Sequence, residues 1–98
     1  YINPYMSSVE EIKKEKRNMI PSVTHVDGTG RVQTVSKEMN KDFHKLINKF
    51  FKISQVPIIL NTSFNENEPI VMCPNDAINC FLRTKMDVLI LNNFMVLR

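Results

Sequence analysis

Apolar positions recur at helical spacing most clearly in the middle of this chain, where Met39, Phe43, Leu46, Ile47 and Phe50 share one face. Lys41, Lys45, Lys49 and Lys52 lie off that face, Asn40 suits an N-cap, and Asp42 suits the first turn, so a helix is predicted from about Asn40 to Ile53. A second helix is predicted to open at Cys73-Pro74-Asn75-Asp76, because proline favours the first helical position and an acid the first turn. Its apolar stripe would be Ala77, Ile78, Phe81 and Leu82. Asp87 to Leu91 reads as a buried strand, Asn92-Asn93 as a tight turn, and Phe94 to Leu97 as the hairpin partner. Upstream, Tyr5 to Val9 reads as a short strand and Glu10 to Met19 as a short charged helix or turn closed by Pro21. Two β-like runs, Ser22 to Val26 and Arg31 to Val35, flank Asp27-Gly28-Thr29-Gly30, in which Asp-Gly is a strong turn signal. Between the helices, Ile58-Ile59-Leu60 reads as a buried strand with Pro57 at or before its first position, ending abruptly in Asn61-Thr62-Ser63-Phe64-Asn65. These elements sum to an α+β fold: a mixed twisted sheet, two main helices and a C-terminal hairpin.

The length, 98 residues, allows at most one small domain, taken here as residues 1–98, and a hydrophobic content of 43% excludes a wholly disordered chain. No apolar run approaches the roughly 20 residues that span a bilayer, so no membrane partner is expected. The first residue is Tyr1 rather than Met, which reads as a piece excised from a longer protein. Net charge is +3, and Lys13, Lys14, Lys16 and Arg17 are interleaved with Glu10, Glu11 and Glu15. Mixed signs at this spacing favour a solvated helix face over a nucleic-acid patch, which would show one sign and interleaved aromatics. Cys73 and Cys80 lie about two helical turns apart, ~10 Å, too far for a disulfide. Two thiols without nearby histidines make a poor zinc site, and reduced cysteines point to the cytoplasm.

Thr62, Ser63 and Asn65 gather hydroxyl and amide groups directly after a strand, a position that suits phosphate or nucleotide recognition as well as a plain capped turn. Arg31 follows the Asp27-Gly28-Thr29-Gly30 loop and offers a planar fork of donors to a phosphate or carboxylate; a solvated surface arginine is the alternative. His25 in a β-like run reads as a structural histidine, and His44 beside Phe43 has no evident role. Nucleophile elbow, P-loop and dinucleotide fingerprint are all missing, and the two histidines have no third ligand in an obvious position.

Three stretches, in order, carry a family resemblance. His25-Val26-Asp27-Gly28-Thr29-Gly30-Arg31-Val32-Gln33-Thr34-Val35, Leu60-Asn61-Thr62-Ser63-Phe64-Asn65-Glu66-Asn67-Glu68-Pro69-Ile70-Val71, and Pro74 to Ile78 with Phe81-Leu82-Arg83-Thr84 resemble the C-terminal region of the O-carbamoyltransferases. That group includes the nodulation carbamoyltransferase and enzymes that decorate antibiotics, and the resemblance runs from about Tyr5 to the end. It implies a YrdC-like domain, here partial, that activates carbamoyl phosphate with ATP to give carbamoyl adenylate and pyrophosphate. An N-terminal domain of the ASKHA type would pass the carbamoyl group to an acceptor hydroxyl. Thr62-Ser63-Phe64-Asn65 is also similar to the serine-x-asparagine nucleotide signature of YrdC-like proteins. Carried over by position, Thr62, Ser63 and Asn65 would contact nucleotide or carbamoyl phosphate and Arg31 would hold phosphate oxygens. Magnesium would accompany ATP, bound mainly by its phosphates, with no metal site in this chain.

Gly30 stands where the family more often has alanine. The upstream segment of the YrdC-like domain, with its basic glycine-proline-arginine run, is missing, so the isolated chain is expected to be inactive. The alternative reading is a small basic, non-catalytic module for RNA or a protein partner, its footprint the lysine cluster and the helix lysines. A partial domain can also expose an apolar sheet edge, which makes self-association an expectation.

Overall fold

A computed structural model describes residues 1–98, in two units, Tyr1–Leu60 and Asn61–Arg98. In the first unit, strand β1 (Val9–Glu11) pairs antiparallel with strand β2 (Thr29–Arg31), in the register Val9 opposite Arg31, Glu10 opposite Gly30 and Glu11 opposite Thr29. The two β-like runs on either side of Asp27-Gly28-Thr29-Gly30 do not pair with each other. Gly28 does take the turn, at φ 86°, but the loop closes on itself through His25 N to Thr29 O and Gly28 N to His25 O. Pro21 has no N–H to give a ladder, and Pro21–Val23 is a 3₁₀ turn rather than a strand. The charged segment is likewise a 3₁₀ helix, Lys14–Met19, and the strand expected over Tyr5 to Val9 begins only at Val9.

Polar bonds rather than apolar burial organise this unit, whose buried residues are Asn3, Gly28 and Gly30. Asn3 is 5% exposed, and its side chain accepts from Ser7 N and Ser7 Oγ while donating to Tyr1 Oη and Ser8 Oγ. Its backbone amide donates to Thr34 Oγ1, and Thr34 N returns to the Asn3 carbonyl. Residues 32–35, expected as strand, thus run beside 3–8 with irregular bonds and no ladder.

Helix α1 (Lys41–Ser54) matches its expected limits, and Asn40 Oδ1 accepts from Phe43 N at 3.1 Å as the N-cap. It ends at Gln55 in the left-handed conformation. The expected buried face is not buried: Phe43 and Ile47 are half-covered, while Met39, Leu46 and Phe50 are exposed. The strand expected at Ile58 to Leu60 is missing as well, since no strand pairs with it and Pro57 removes a donor from that run.

The second unit is built on helix α2 (Pro74–Arg83), with Pro74 in the first turn and Asp76 reaching back to the Met72 amide. Strand β3 (Val88–Leu91) and strand β4 (Phe94–Leu97) form the expected hairpin, with Leu91 opposite Phe94 and Asn92 at φ 54° in the two-residue turn. There is no mixed sheet. The α+β class holds, but the strands form two separate antiparallel pairs. Ala77 and Phe81 pack against Leu89, with Phe64, Val71, Met86 and Leu91 partly buried around them. Cys80, not Ile78 or Leu82, completes the inward face of α2. Arg98 binds the helix end: its guanidinium donates to the carbonyls of Phe81, Thr84 and Met86 and lies 4.9 Å from the centre of the Phe81 ring. A cation at carbonyls that lack helical partners is favourable there.

This orientation of α2 has a direct consequence. Phe81→Ala should destabilise the unit by about 3–5 kcal/mol, whereas Leu82→Ala, at a side chain 65% exposed, should stay within about 0.5 kcal/mol. Denaturant melts of both variants measure the difference; equal losses would mean that the stripe including Leu82 faces the core instead.

Candidate functional site

The first candidate surface is the exposed side of β2. Side chains alternate along a strand, so Thr29 and Arg31 share one face while Gly30 points to the other, where a Cβ would press on Ile12 and the Val23 carbonyl. Arg31 Nε donates to the Met6 carbonyl at 2.7 Å, and Met6 holds a left-handed backbone at φ 56°. Such a conformation is uncommon for a residue other than glycine and must be held by its surroundings. The bond fixes the plane of the guanidinium and leaves both terminal nitrogens for a planar, two-toothed grip on an anion.

In the turn that leads into β2, Asp27 Oδ1 accepts from the amide of Thr29 at 3.0 Å and from its hydroxyl at 2.7 Å. His25 Nδ1 lies 3.0 Å from the same hydroxyl oxygen. The Thr29 hydroxyl, then its amide, then the nearby His25 hold the Asp27 carboxyl below the usual carboxylate range. Gly28 lies against the Arg17 guanidinium, into which a Cβ at this position would collide. Arg17 in turn donates from Nε to the Ile12 carbonyl at 2.9 Å and pairs with Glu11 at 3.2 Å. One cation of the charged cluster thus buttresses the loop instead of facing solvent.

The second candidate surface is the polar loop 61–71. Val71 N donates to the Phe64 carbonyl at 3.0 Å and closes the loop. Ser63 Oγ donates to Asn65 Oδ1 at 2.6 Å, and Asn65 Nδ2 donates to the Glu68 carbonyl at 2.7 Å. Asn65 is therefore a strut within the loop, while Thr62 and Ser63 are exposed. Arg83 of α2 reaches across to both Glu66, at 3.5 Å, and Glu68. The Glu68 backbone amide, with help from the Asn67 amide and Arg83, holds the Glu68 carboxyl below its usual range despite some loss of solvent.

Ser63 and Asn65 are thus brought together, and Arg31 belongs to the other unit. Met6, Arg17, Asp27, Thr29, Glu68 and Arg83 support these surfaces without having been singled out in the sequence. Only the Asp-Gly-Thr turn carried a local signal for its part; the others act across distances that spacing does not reveal. No group of three or more His, Cys, Asp or Glu side chains is arranged to hold a cation. Both cysteines are free, Cys80 buried and Cys73 exposed, and loss of water raises the Cys80 thiol pKa. No helix is long and apolar enough to cross a membrane.

Two outcomes check this geometry. Because the Asp27 pKa is lowered in the fold, its contribution is complete above the ordinary aspartate value, about pH 4, and is lost as pH falls through the lower folded value. The Thr29 amide resonance should titrate at that lower pH in the native protein, and Asp27→Asn should abolish the transition. A thiol reagent should label Cys73 quickly and Cys80 only on unfolding, as followed by mass spectrometry; equal rates would contradict the burial of Cys80.

Comparison with known proteins bears on the whole chain. Residues 1–98 match the family described as carbamoyltransferase C-terminus. The chain is 47% identical over 94 residues to the nodulation protein NolNO of Sinorhizobium fredii, covering 95% of this chain and 14% of that protein. It is also 47% identical over 94 residues to the nodulation protein NolO of Bradyrhizobium diazoefficiens, covering 95% of this chain and 17% of that one. An uncharacterised protein of Methanocaldococcus jannaschii is 41% identical over 95 residues, or 96% of this chain and 18% of its own length. The chain thus spans less than a fifth of the length of each of these relatives. With all three sequence motifs inside a match of this extent, the chain belongs to the carbamoyltransferase C-terminal family.

Proposed function

We propose that this chain forms part of the site at which a cytoplasmic carbamoyltransferase makes carbamoyl adenylate, and that the domain is YrdC-like. Water first releases phosphate from carbamoyl phosphate and leaves carbamate. A carbamate oxygen then attacks the α-phosphorus of ATP; the new P–O bond forms as the bond to the bridging oxygen breaks, and pyrophosphate departs. ATP enters as its magnesium complex, the ion carried by phosphate oxygens. An ASKHA-type domain of the same polypeptide would pass the carbamoyl group to an acceptor hydroxyl.

The observation that carries this reading is Arg31. Its Nε is tied to the Met6 carbonyl, so the remaining donors are oriented before any anion arrives. Preoriented donors act where negative charge builds in the transition state and need no reorganisation. On the other unit the Thr62 hydroxyl offers a neutral donor to a phosphate, and Ser63, whose single hydroxyl proton goes to Asn65 Oδ1, would donate to one by exchanging that bond. The alternative, a non-catalytic RNA-binding module, would draw on Lys41, Lys45, Lys49 and Lys52 of α1.

In the intact polypeptide, pyrophosphate should be released only when carbamoyl phosphate and ATP are both present. Arg31→Lys keeps the charge but loses both the planar fork and the Nε anchor, and should lower kcat/KM by about tenfold or more. The isolated chain should show no turnover; turnover by it would overturn that part of the reading. Salt-dependent RNA binding by an intact protein that releases no pyrophosphate would favour the alternative.

A further inference from the structure

The Met6 carbonyl that anchors Arg31 belongs to the same peptide unit as the Ser7 amide, and that amide donates to Asn3 Oδ1 at 3.1 Å. The unit is trans and planar, so its N–H and C=O point to opposite sides and turn together. Fixing the N–H on Asn3 therefore fixes the direction of the carbonyl toward Arg31 Nε. A rotation of this one plane would withdraw both bonds at once.

Asn3 is itself held as a fixed acceptor. It is 5% exposed, and only one orientation of its amide satisfies the neighbours. The Ser7 N–H can only donate, so Oδ1 faces it and also accepts from Ser7 Oγ at 2.9 Å. Nδ2 then faces Tyr1 Oη at 3.1 Å and Ser8 Oγ at 2.9 Å. Both hydroxyls pass their protons to Glu10 Oε1, at 2.9 and 3.0 Å. The two ends of segment 3–8 are tied to segment 32–34: Asn3 and Thr34 exchange two bonds, and Val32 N donates to the Ser8 carbonyl at 3.4 Å. Between these ties Met6 takes its left-handed conformation, which a residue with a side chain keeps only where its surroundings impose it. Here the peptide that follows Met6 is gripped by Asn3 on one side and by Arg31 on the other.

We propose that Asn3 is a positioning residue for the anion site at Arg31, acting through the Met6–Ser7 peptide without touching the anion. The inference rests on the proposed function and deepens it. An exposed arginine samples many rotamers, and those lost on binding weaken its grip. With Nε held on a carbonyl that cannot turn, Nη1 and Nη2 meet an oxyanion end-on in one orientation. Hydrogen bonds in series also polarise one another, so an anion on the guanidinium is felt at the Ser7 amide.

The test is a double-mutant cycle in the intact polypeptide, read as kcat/KM for pyrophosphate release with carbamoyl phosphate and ATP. Asn3→Ala should lower kcat/KM by about threefold to tenfold. Arg31→Lys has already lost the Nε anchor, so in that background Asn3→Ala should change kcat/KM by less than about twofold. A residue that merely supports the fold would lower both backgrounds by the same factor. That result, or an unchanged kcat/KM in Asn3→Ala alone, would overturn the proposal. The wild-type protein supplies a readout that does not depend on a variant folding. On titration with inorganic pyrophosphate, the Arg31 Nε–H and the Ser7 amide resonances should shift together; a shift of Arg31 without Ser7 would overturn the relay. A wild-type protein that neither releases pyrophosphate nor shifts Arg31 would overturn the proposed function and the role of Asn3 with it, whereas additive losses in the cycle would overturn the inference alone.

Discussion

Thr29 donates both its amide and its hydroxyl to one oxygen of Asp27, and the exposed face of β2 depends on this pair of bonds. They close the turn in which Gly28 takes positive φ, and they keep the carboxylate ionised. The Thr29 hydroxyl that donates to Asp27 also lies 3.0 Å from His25 Nδ1 and holds the ring beside the turn. The closed turn also places Gly28 against the Arg17 guanidinium, and the positive φ there disfavours any side chain at residue 28. A short polar chain thus does the organising that burial of large apolar side chains does elsewhere, in a unit whose buried side-chain hub is Asn3.

The second unit is organised by burial and by a clamp. Phe81 and Ala77 meet Leu89, and Arg98 joins the end of β4 to the carbonyls at the end of α2. On the outside of the same helix, Arg83 holds Glu66 and Glu68, which bracket the turn of the polar loop. Exposed ion pairs contribute little stability singly. Here their role is geometric: they fix the loop that carries Thr62 and Ser63, and the internal bonds of Asn65 complete it. The loop is therefore both a capped turn and a presenter of hydroxyl groups, and the two readings of its sequence are compatible.

Family membership is shown for the chain as a whole, and the local geometry is the ground for the role proposed above. Arg31 is the point where the two meet. A surface arginine would lose side-chain entropy on gripping an anion; one already tied through Nε to the Met6 carbonyl has lost part of it in folding. The left-handed conformation of Met6 is a cost met elsewhere in the fold, and such costs concentrate where a side chain must be aimed.

Elements whose causes are local were legible in the residues alone. The Asn40 cap and the 3.6-residue period marked α1, Pro74 and Asp76 marked the start of α2, and Asn92-Asn93 between two apolar runs marked the β3–β4 hairpin. Each depends on neighbours within one turn, where propensity and capping act. The same residues did not reveal which side of α2 is buried, that β1 rather than the run before Asp27-Gly28 would pair with β2, or that residues 58–60 would remain unpaired. Those outcomes depend on which distant segment supplies the next hydrogen bond or apolar contact. The candidate site divides in the same way: Arg31, Thr62, Ser63 and Asn65 stood out by residue type and motif, whereas the Met6 carbonyl behind Arg31 and the Arg83 clamp behind the loop exist only once the chain has folded back on itself. Spacing along a chain encodes periodicity and turns; the direction of a side chain is decided by partners that the fold brings from elsewhere.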